Sequence, residues 1–258
     1  MARSDWLFCD DFEGDGPLVA EGRYFEYGDD GGDFSPIDTI GLAGSRGMRT
    51  RWQAGEIDAG SLKLGFGRNP NNYMNKGVGG SRDYREVYYR MYLRHQPGWQ
   101  GDPAKLSRAT LFASSTDWSQ AMVAHLWSDG EGDLLIDPAS CVTGDQVVCQ
   151  GYNDFDHLQW LGSRAGSSPI FSTEDSGNWH CVEAHVRLNG PGAVDGVQEF
   201  WIDDQLEARR DSLDFVGSYT EYGINAVFFE NHWNTGSPVE QERYFDNIVV
   251  STARIGCR

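Results

Sequence analysis

Hydrophobic and polar residues alternate with a period of two along much of this chain, as they do in strands that bury one face. The clearest case is the stretch 84–94. Val87, Tyr89, Met91 and Leu93 fall on one side, and Tyr84, Glu86, Tyr88, Arg90, Tyr92 and Arg94 on the other. Residues 179–188 repeat the pattern, with Val182, Ala184, Val186 and Leu188 opposed by Cys181, Glu183, His185 and Arg187. Strands are expected near 7–12, 47–52, 61–67, 86–94, 109–114, 121–127, 157–161, 180–188, 198–202, 226–229 and 243–251. Turn signals punctuate them at Asp129-Gly130, Asn189-Gly190 and Asp195-Gly196. Residues 102–107 and 137–156 read as loops, and only brief helical turns are expected. No linker or repeat interrupts the pattern, so the chain reads as one all-β domain, a size that a β-sandwich commonly reaches.

Composition sharpens this. The 258 residues include 32 Gly and 9 Trp, and Gly-rich turns between aromatic and β-branched runs are an all-β signature. The formal charge of −18 opposes nucleic acid as a partner, because phosphate binding needs a basic face. No apolar run approaches the roughly 20 residues of a membrane helix, so no membrane partner is expected either. A soluble monomer is.

None of the five cysteines forms a CxxC pair, which argues against zinc. Cys141 and Cys149 flank a short loop that a disulfide could close. Cys9 and Cys257 lie near opposite chain ends, which a sandwich often brings together, so a second bridge is expected there. Cys181 is then left as a buried thiol. Paired cysteines imply an oxidising compartment, hence a secreted, extracellular or periplasmic location. The opening Met1-Ala2-Arg3-Ser4 is too short and polar for a secretory signal, and the chain is expected to follow one already removed.

The polar sides of the two alternating segments bear on function. An ordinary solvated face carries Lys, Thr, Ser and Glu. Rings alternating with charge read instead as a surface that stacks on rings and binds polar or anionic groups. The plainer reading is an outward face with cross-strand pairs.

Three stretches then carry a resemblance: Cys9-Asp10-Asp11-Phe12-Glu13-Gly14, the hairpin over 179–206 with its Asn189-Gly190-Pro191-Gly192 turn, and 243–252, which includes Arg243-Tyr244-Phe245-Asp246-Asn247. With these the chain resembles the concanavalin A-like jelly rolls of carbohydrate-active proteins. Among them it is most similar to the polysaccharide lyases of the alginate and glucuronan lyase type. It departs from one alginate lyase family in lacking an Arg-x-Glu-Leu-Arg motif. The resemblance implies a β-sandwich jelly roll with a concave groove for an acidic polysaccharide. It also implies a structural calcium near the two termini, with Asp11, Glu13 and Asp246 as its side-chain ligands, since calcium collects oxygen donors. The loop Asp29-Asp30-Gly31-Gly32-Asp33 reads as solvated.

A lyase of this kind needs a cation for the uronate carboxylate, a base for the neighbouring C5 proton and an acid for the leaving oxygen. Arg suits the first role through its fork geometry, and His and Tyr suit the others. Arg90 and Lys105 are the candidates for the carboxylate, His185 or His125 for the base, and Tyr88 for the acid. Glu86, Tyr92, Arg94, Arg108, Glu183 and Arg187 are candidate binding residues, and Trp127, Trp201 and Trp233 candidate stacking rings. Two further readings stand beside this one. A glycoside hydrolase would need a carboxylate pair; Glu56-Ile57-Asp58 begins a jelly-roll glucanase motif, but Ser61 stands where its second Glu belongs. A carbohydrate-binding module would use the same face without a base. HExxH and Gly-x-Ser-x-Gly motifs are absent, and the Gly-rich stretches open no helix, which sets aside zinc hydrolase, serine hydrolase and phosphate-loop chemistry.

Overall fold

The computed structural model describes residues 3–257. Two eight-stranded sheets of antiparallel strands make a β-sandwich jelly roll. The first runs Gln205–Leu213, Gly196–Ile202, His180–Arg187, Glu86–His95, Gln241–Ser251, Gly47–Trp52 and Phe34–Ile37, and Trp6–Asp10 also pairs with Gln241–Ser251. The second runs Gln159–Trp160, Leu134–Ser140, Gln120–Ser128, Lys105–Phe112, Ala226–His232, Asp58–Gly65 and Glu26–Gly28, and Arg164–Ala165 also pairs with Leu134–Ser140. Among the described residues, helix is limited to the short turns Asp30–Gly32 and Leu42–Gly44.

The alternation places the core. Val87, Tyr89, Met91 and Leu93, with Val182, Ala184 and Val186, meet Leu62, Leu64, Ala109, Leu111, Met122, Ala124, Leu126, Val227 and Phe229 of the facing sheet. Burying each of the larger side chains contributes about 1.5–3 kcal/mol, so a one-residue slip that turned a strand over would be costly. Each strand is left with one outward face, and those faces are the only places on the sheets where chemistry can sit.

Some strands lie where the sequence reads as loop or turn. Lys105–Phe112 begins inside the expected loop 102–107, and Leu134–Ser140 extends into the expected loop 137–156. Pro138 hid the latter, because proline cannot donate to a ladder. Its carbonyl accepts from Leu161 N–H at 2.9 Å, so its donor-less nitrogen points to that same edge, away from the full-length neighbour Gln120–Ser128. The edge strand Gln205–Leu213 is joined to its partner by Asp203 and Asp204, with φ of 51° and 66°. Those values suit a tight hairpin, but the turn lacks the glycine that usually announces one.

The C-terminal segment crosses the outer face of the first sheet. Glu183, fully buried, accepts Ile255 N–H at 2.7 Å, Gly256 N–H at 3.0 Å and Arg254 Nε–H at 2.9 Å. Arg90 donates to Gly256 O at 2.8 Å, and Arg254 lies 3.9 Å from the Trp201 ring centre. The disulfides are Cys141–Cys149 and Cys181–Cys257, and Cys9 is a free, exposed thiol. The expected Cys9–Cys257 bridge is thus replaced. The tail runs over Glu183, two residues from Cys181 on the same outward face, while Cys9 lies on Trp6–Asp10, beyond Gln241–Ser251. Peptide mapping without reduction should return these two bridges with Cys9 alkylated; a Cys9–Cys257 peptide would contradict this arrangement. Cys257→Ser should lower stability by about 2–4 kcal/mol in chemical denaturation.

Candidate functional site

The expected site residues divide between two opposite faces. Glu86, Tyr88, Arg90, Tyr92, Arg94, Glu183, His185 and Arg187 project from the first sheet, whereas Lys105, Arg108 and His125 project from the second. One reaction centre cannot use both groups, since the hydrophobic core separates them.

On the first sheet the polar stripe is consumed by structure. His185 Nδ1 meets Glu199 at 2.7 Å and its Nε2 meets Glu86 at 2.8 Å, so both nitrogens are engaged by carboxylates. Tyr88 stacks on His185, with ring centres 4.1 Å apart, and burial with the nearby Glu86 pushes its phenol up to about 12. Arg94 donates to Ile40 O between the rings of Trp179 and Tyr244, and Arg187 donates to Asp195 O. Arg90, stacked near Tyr92, and Glu183 hold the tail. Trp201 lies under Arg254.

The outer face of the second sheet is organised differently. Cross-strand register sets Asp137 opposite His125, His125 opposite Arg108, Arg108 opposite Phe228, Phe228 opposite Lys63 and Lys63 opposite Glu26. Adjacent members of such a row lie about 4.8 Å apart. Arg108, almost wholly buried, forks onto Glu230 at 2.7 and 2.5 Å and donates to Asn153 Oδ1 at 2.6 Å. Tyr152 lies over Arg108, with its ring centre 5.1 Å from the guanidinium carbon and its hydroxyl donating to Glu230 at 3.4 Å. Lys63 pairs with Glu26 beneath Trp118. The Lys105 ammonium makes no hydrogen bond or ion pair with the described residues. It lines an open depression of about 550 Å³ with Trp127, Asp137 and Trp233.

The electrostatics of this face follow from burial and pairing. Burial alone would raise the Glu230 carboxyl, but Arg108 overrides it and holds the group at about 2. Burial pushes the Lys105 ammonium below its ordinary range, with Glu230 opposing. Burial, aided by Arg108, holds the His125 imidazole at about 3, so it is neutral near pH 7. His125 Nδ1 faces the Asp137 carbonyl at 3.1 Å. A carbonyl only accepts, so Nδ1 carries the proton and Nε2 the free lone pair. The ring is braced by stacking on Trp127 at 4.2 Å. Asp137 has no carboxylate partner among the described residues, and burial raises it to about 6. The face therefore combines a neutral imidazole with a bare nitrogen, an unpaired ammonium, and a phenol kept protonated by burial and by Glu230.

The expected calcium ligands are engaged with protein donors. Asp246 accepts Leu42 N–H at 2.7 Å, Ser45 Oγ–H at 3.1 Å and Asn247 N–H at 2.6 Å. Glu13 accepts Arg46 N–H at 2.8 Å, and Asp11 accepts Glu13 N–H at 3.3 Å. These carboxylates organise the 41–46 loop. Among the described residues, the acidic groups that converge within 4.8 Å are Asp30, Asp33 and Glu56, and Glu56 already accepts Gln53 N–H at 2.6 Å.

Sequence reading missed Asp137, Tyr152, Asn153 and Glu230. Asp137 and Glu230 carry a signal, as each is an acid interrupting an apolar run (Leu134-Leu135-Ile136-Asp137 and Val227-Phe228-Phe229-Glu230). Tyr152 and Asn153 sit in a loop with no periodicity to expose them.

Compared by sequence, the chain matches no protein-family model and no curated protein. Compared by structure, it is similar to the endo-β-1,4-glucuronan lyase from the fungus Trichoderma reesei, with TM-score 0.61 and 12% identity over 96% of each chain. It is also similar to the alginate lyase vAL-1 from Chlorella virus, with TM-score 0.60 and 11% identity over 85% of this chain and 89% of that one. A third likeness is to the marine PL-14 alginate lyase from Aplysia kurodai, with TM-score 0.55 and 16% identity over 88% and 90%. The chain has the β-jelly-roll fold of these polysaccharide lyases.

Proposed function

We propose that the protein is a polysaccharide lyase that cleaves a uronate-containing polysaccharide by β-elimination on the outer face of the second sheet. The observation that carries this reading is His125: a buried, neutral imidazole with Nε2 free, one strand from the Arg108–Glu230–Tyr152 cluster and on the same face as the unpaired Lys105. Lys105 neutralises the uronate carboxylate and so acidifies the C5 proton. His125 Nε2 takes that proton. The C4–C5 double bond forms as the C4–O bond breaks, and the Tyr152 hydroxyl protonates the leaving oxygen. Arg108 and Glu230 position Tyr152. Glycoside hydrolysis is less well supported, because Glu26 is tied to Lys63 and Glu230 to Arg108, leaving Asp137 as the unpaired acid of the row. The fold shared with alginate and glucuronan lyases supports the reading, and two disulfides fit an extracellular protein.

Incubation with alginate, glucuronan and related polymers should raise the ultraviolet absorbance of an unsaturated uronate. New reducing ends without that absorbance would instead establish a hydrolase. His125→Gln and Tyr152→Phe should each lower kcat by about 10²–10⁴, and Lys105→Met should lower kcat/KM by at least about tenfold.

His185→Gln is the control on the opposite face. It should leave turnover unchanged while costing about 1–3 kcal/mol of stability, since Glu86 and Glu199 lose their shared donor.

Asp137 sets a pH dependence. Its carboxyl is neutral below about 6 and charged above it, and a charged Asp137 repels a polyanion. KM for the acidic polymer should therefore rise as pH rises through 6, and Asp137→Asn should flatten that rise. An unchanged slope in the variant would rule Asp137 out as its source.

A further inference from the structure

Exposed large hydrophobic side chains are few among the described residues, and the aromatic ones are Tyr73, Phe155 and Trp160, at 50%, 56% and 44% exposure. All three lie on the outer face of the second sheet, and they bracket it. Trp160 lies on the edge strand Gln159–Trp160, beside Leu134–Ser140. Its ring centre is 5.6 Å from His125 and 5.9 Å from Trp127, and Phe155 stacks against it at 6.4 Å with an interplanar angle of 20°. A continuous run of rings thus leads outward from the proposed base. At the far side, Tyr73 packs by Phe25 and Trp118 and donates its hydroxyl to Glu26, the partner of Lys63.

Both platforms are held firmly. The loop carrying Phe155 is closed at one end by Cys141–Cys149, tied to the site through Asn153 and Arg108, and stiffened by Asp154, which accepts from Gln150 N–H and meets His157. Flat rings exposed on an ordered frame present a low-entropy surface to a flat, partly apolar ligand. The C–H face of a pyranose is such a ligand. Six spacings of about 4.8 Å separate Gln159–Trp160 from Glu26–Gly28 along the sheet, which leaves room for several sugar residues.

We infer that the glycan chain lies across the strands of the second sheet, with one sugar stacked on Trp160 and Phe155 and another on Tyr73, so that the protein grips the interior of a polymer rather than its end. This rests on the glycan reading of the face proposed above. The reacting linkage sits between the platforms, over His125 and Lys105, and cleavage there is endo-acting.

The test uses the whole protein with alginate and glucuronan as probes, read by retardation in polymer-containing native gels and, separately, by the size of the products. Trp160→Ala and Tyr73→Ala should each weaken retention by roughly five- to tenfold, while Trp160→Phe and Tyr73→Phe, which keep a ring, retain most of it. Circular dichroism should be unchanged, as neither exposed ring is part of the core. The first products should be long fragments. Wild-type retention in both Ala variants, or release of short products from chain ends alone, would overturn the inference. Polymer elimination with undiminished binding in the variants removes the track and leaves the lyase. Ring-dependent binding without elimination removes the lyase and leaves the track. If the wild type binds neither polymer, both fall.

Discussion

A single buried carboxylate decides where the C-terminal segment lies across this sandwich. Glu183 points outward from the middle of the first sheet, where it would otherwise be solvated. It instead collects two backbone N–H groups and the Arg254 guanidinium of the C-terminal segment. A buried carboxylate without such donors would cost several kcal/mol, so the tail and the acid require each other. Arg90 and the Cys181–Cys257 bridge act in the same direction. Once the tail is laid down, Arg90, Cys181 and Glu183 on the outward stripe of Glu86–His95 and His180–Arg187 are occupied by protein.

The opposite face gains its character from the way its charges are shared out. Arg108 looks like the natural carboxylate binder, but its fork is taken by Glu230, and Lys63 is taken by Glu26. Lys105 is left as the ammonium with no partner in this row. The pairing also works on the neighbours, because the charge of Arg108 and the shielding around His125 both disfavour the imidazolium. His125 is thereby held in its neutral form, with its proton assigned to Nδ1 by a backbone carbonyl. The Arg108–Glu230 pair thus organises the face without itself facing a substrate charge.

The formal charge of −18 and an acidic substrate are compatible on this geometry. Screening at physiological salt reduces the influence of charges beyond about 8 Å, so the acids scattered over the surface matter less than those in the row. There Glu26 and Glu230 are neutralised by their partners, and burial keeps Asp137 partly protonated in mildly acidic conditions. Lys105 is the cation of a depression that Asp102, Asp129 and Asp137 also line.

The amino-acid sequence alone determined the fold class, because a period of two is a local property of each strand. It placed Val87, Tyr89, Met91, Leu93, Val182, Ala184 and Val186 in the core, and the jelly-roll resemblance matches the observed sheets. It also selected Lys105, Arg108 and His125 as candidates. It could not tell these from Tyr88, Arg90 and His185, because alternation says that a side chain faces outward and not what lies over it. That depended on where the last residues of the chain come to rest, a contact made across more than 70 positions between Glu183 and Arg254. Strands hidden by Pro138 and by the Asp203-Asp204 turn, the Cys181–Cys257 pairing, and the meeting of Tyr152 and Glu230 over Arg108 were likewise decided only in three dimensions. Each depends on what packs against a residue, which its neighbours in sequence do not specify.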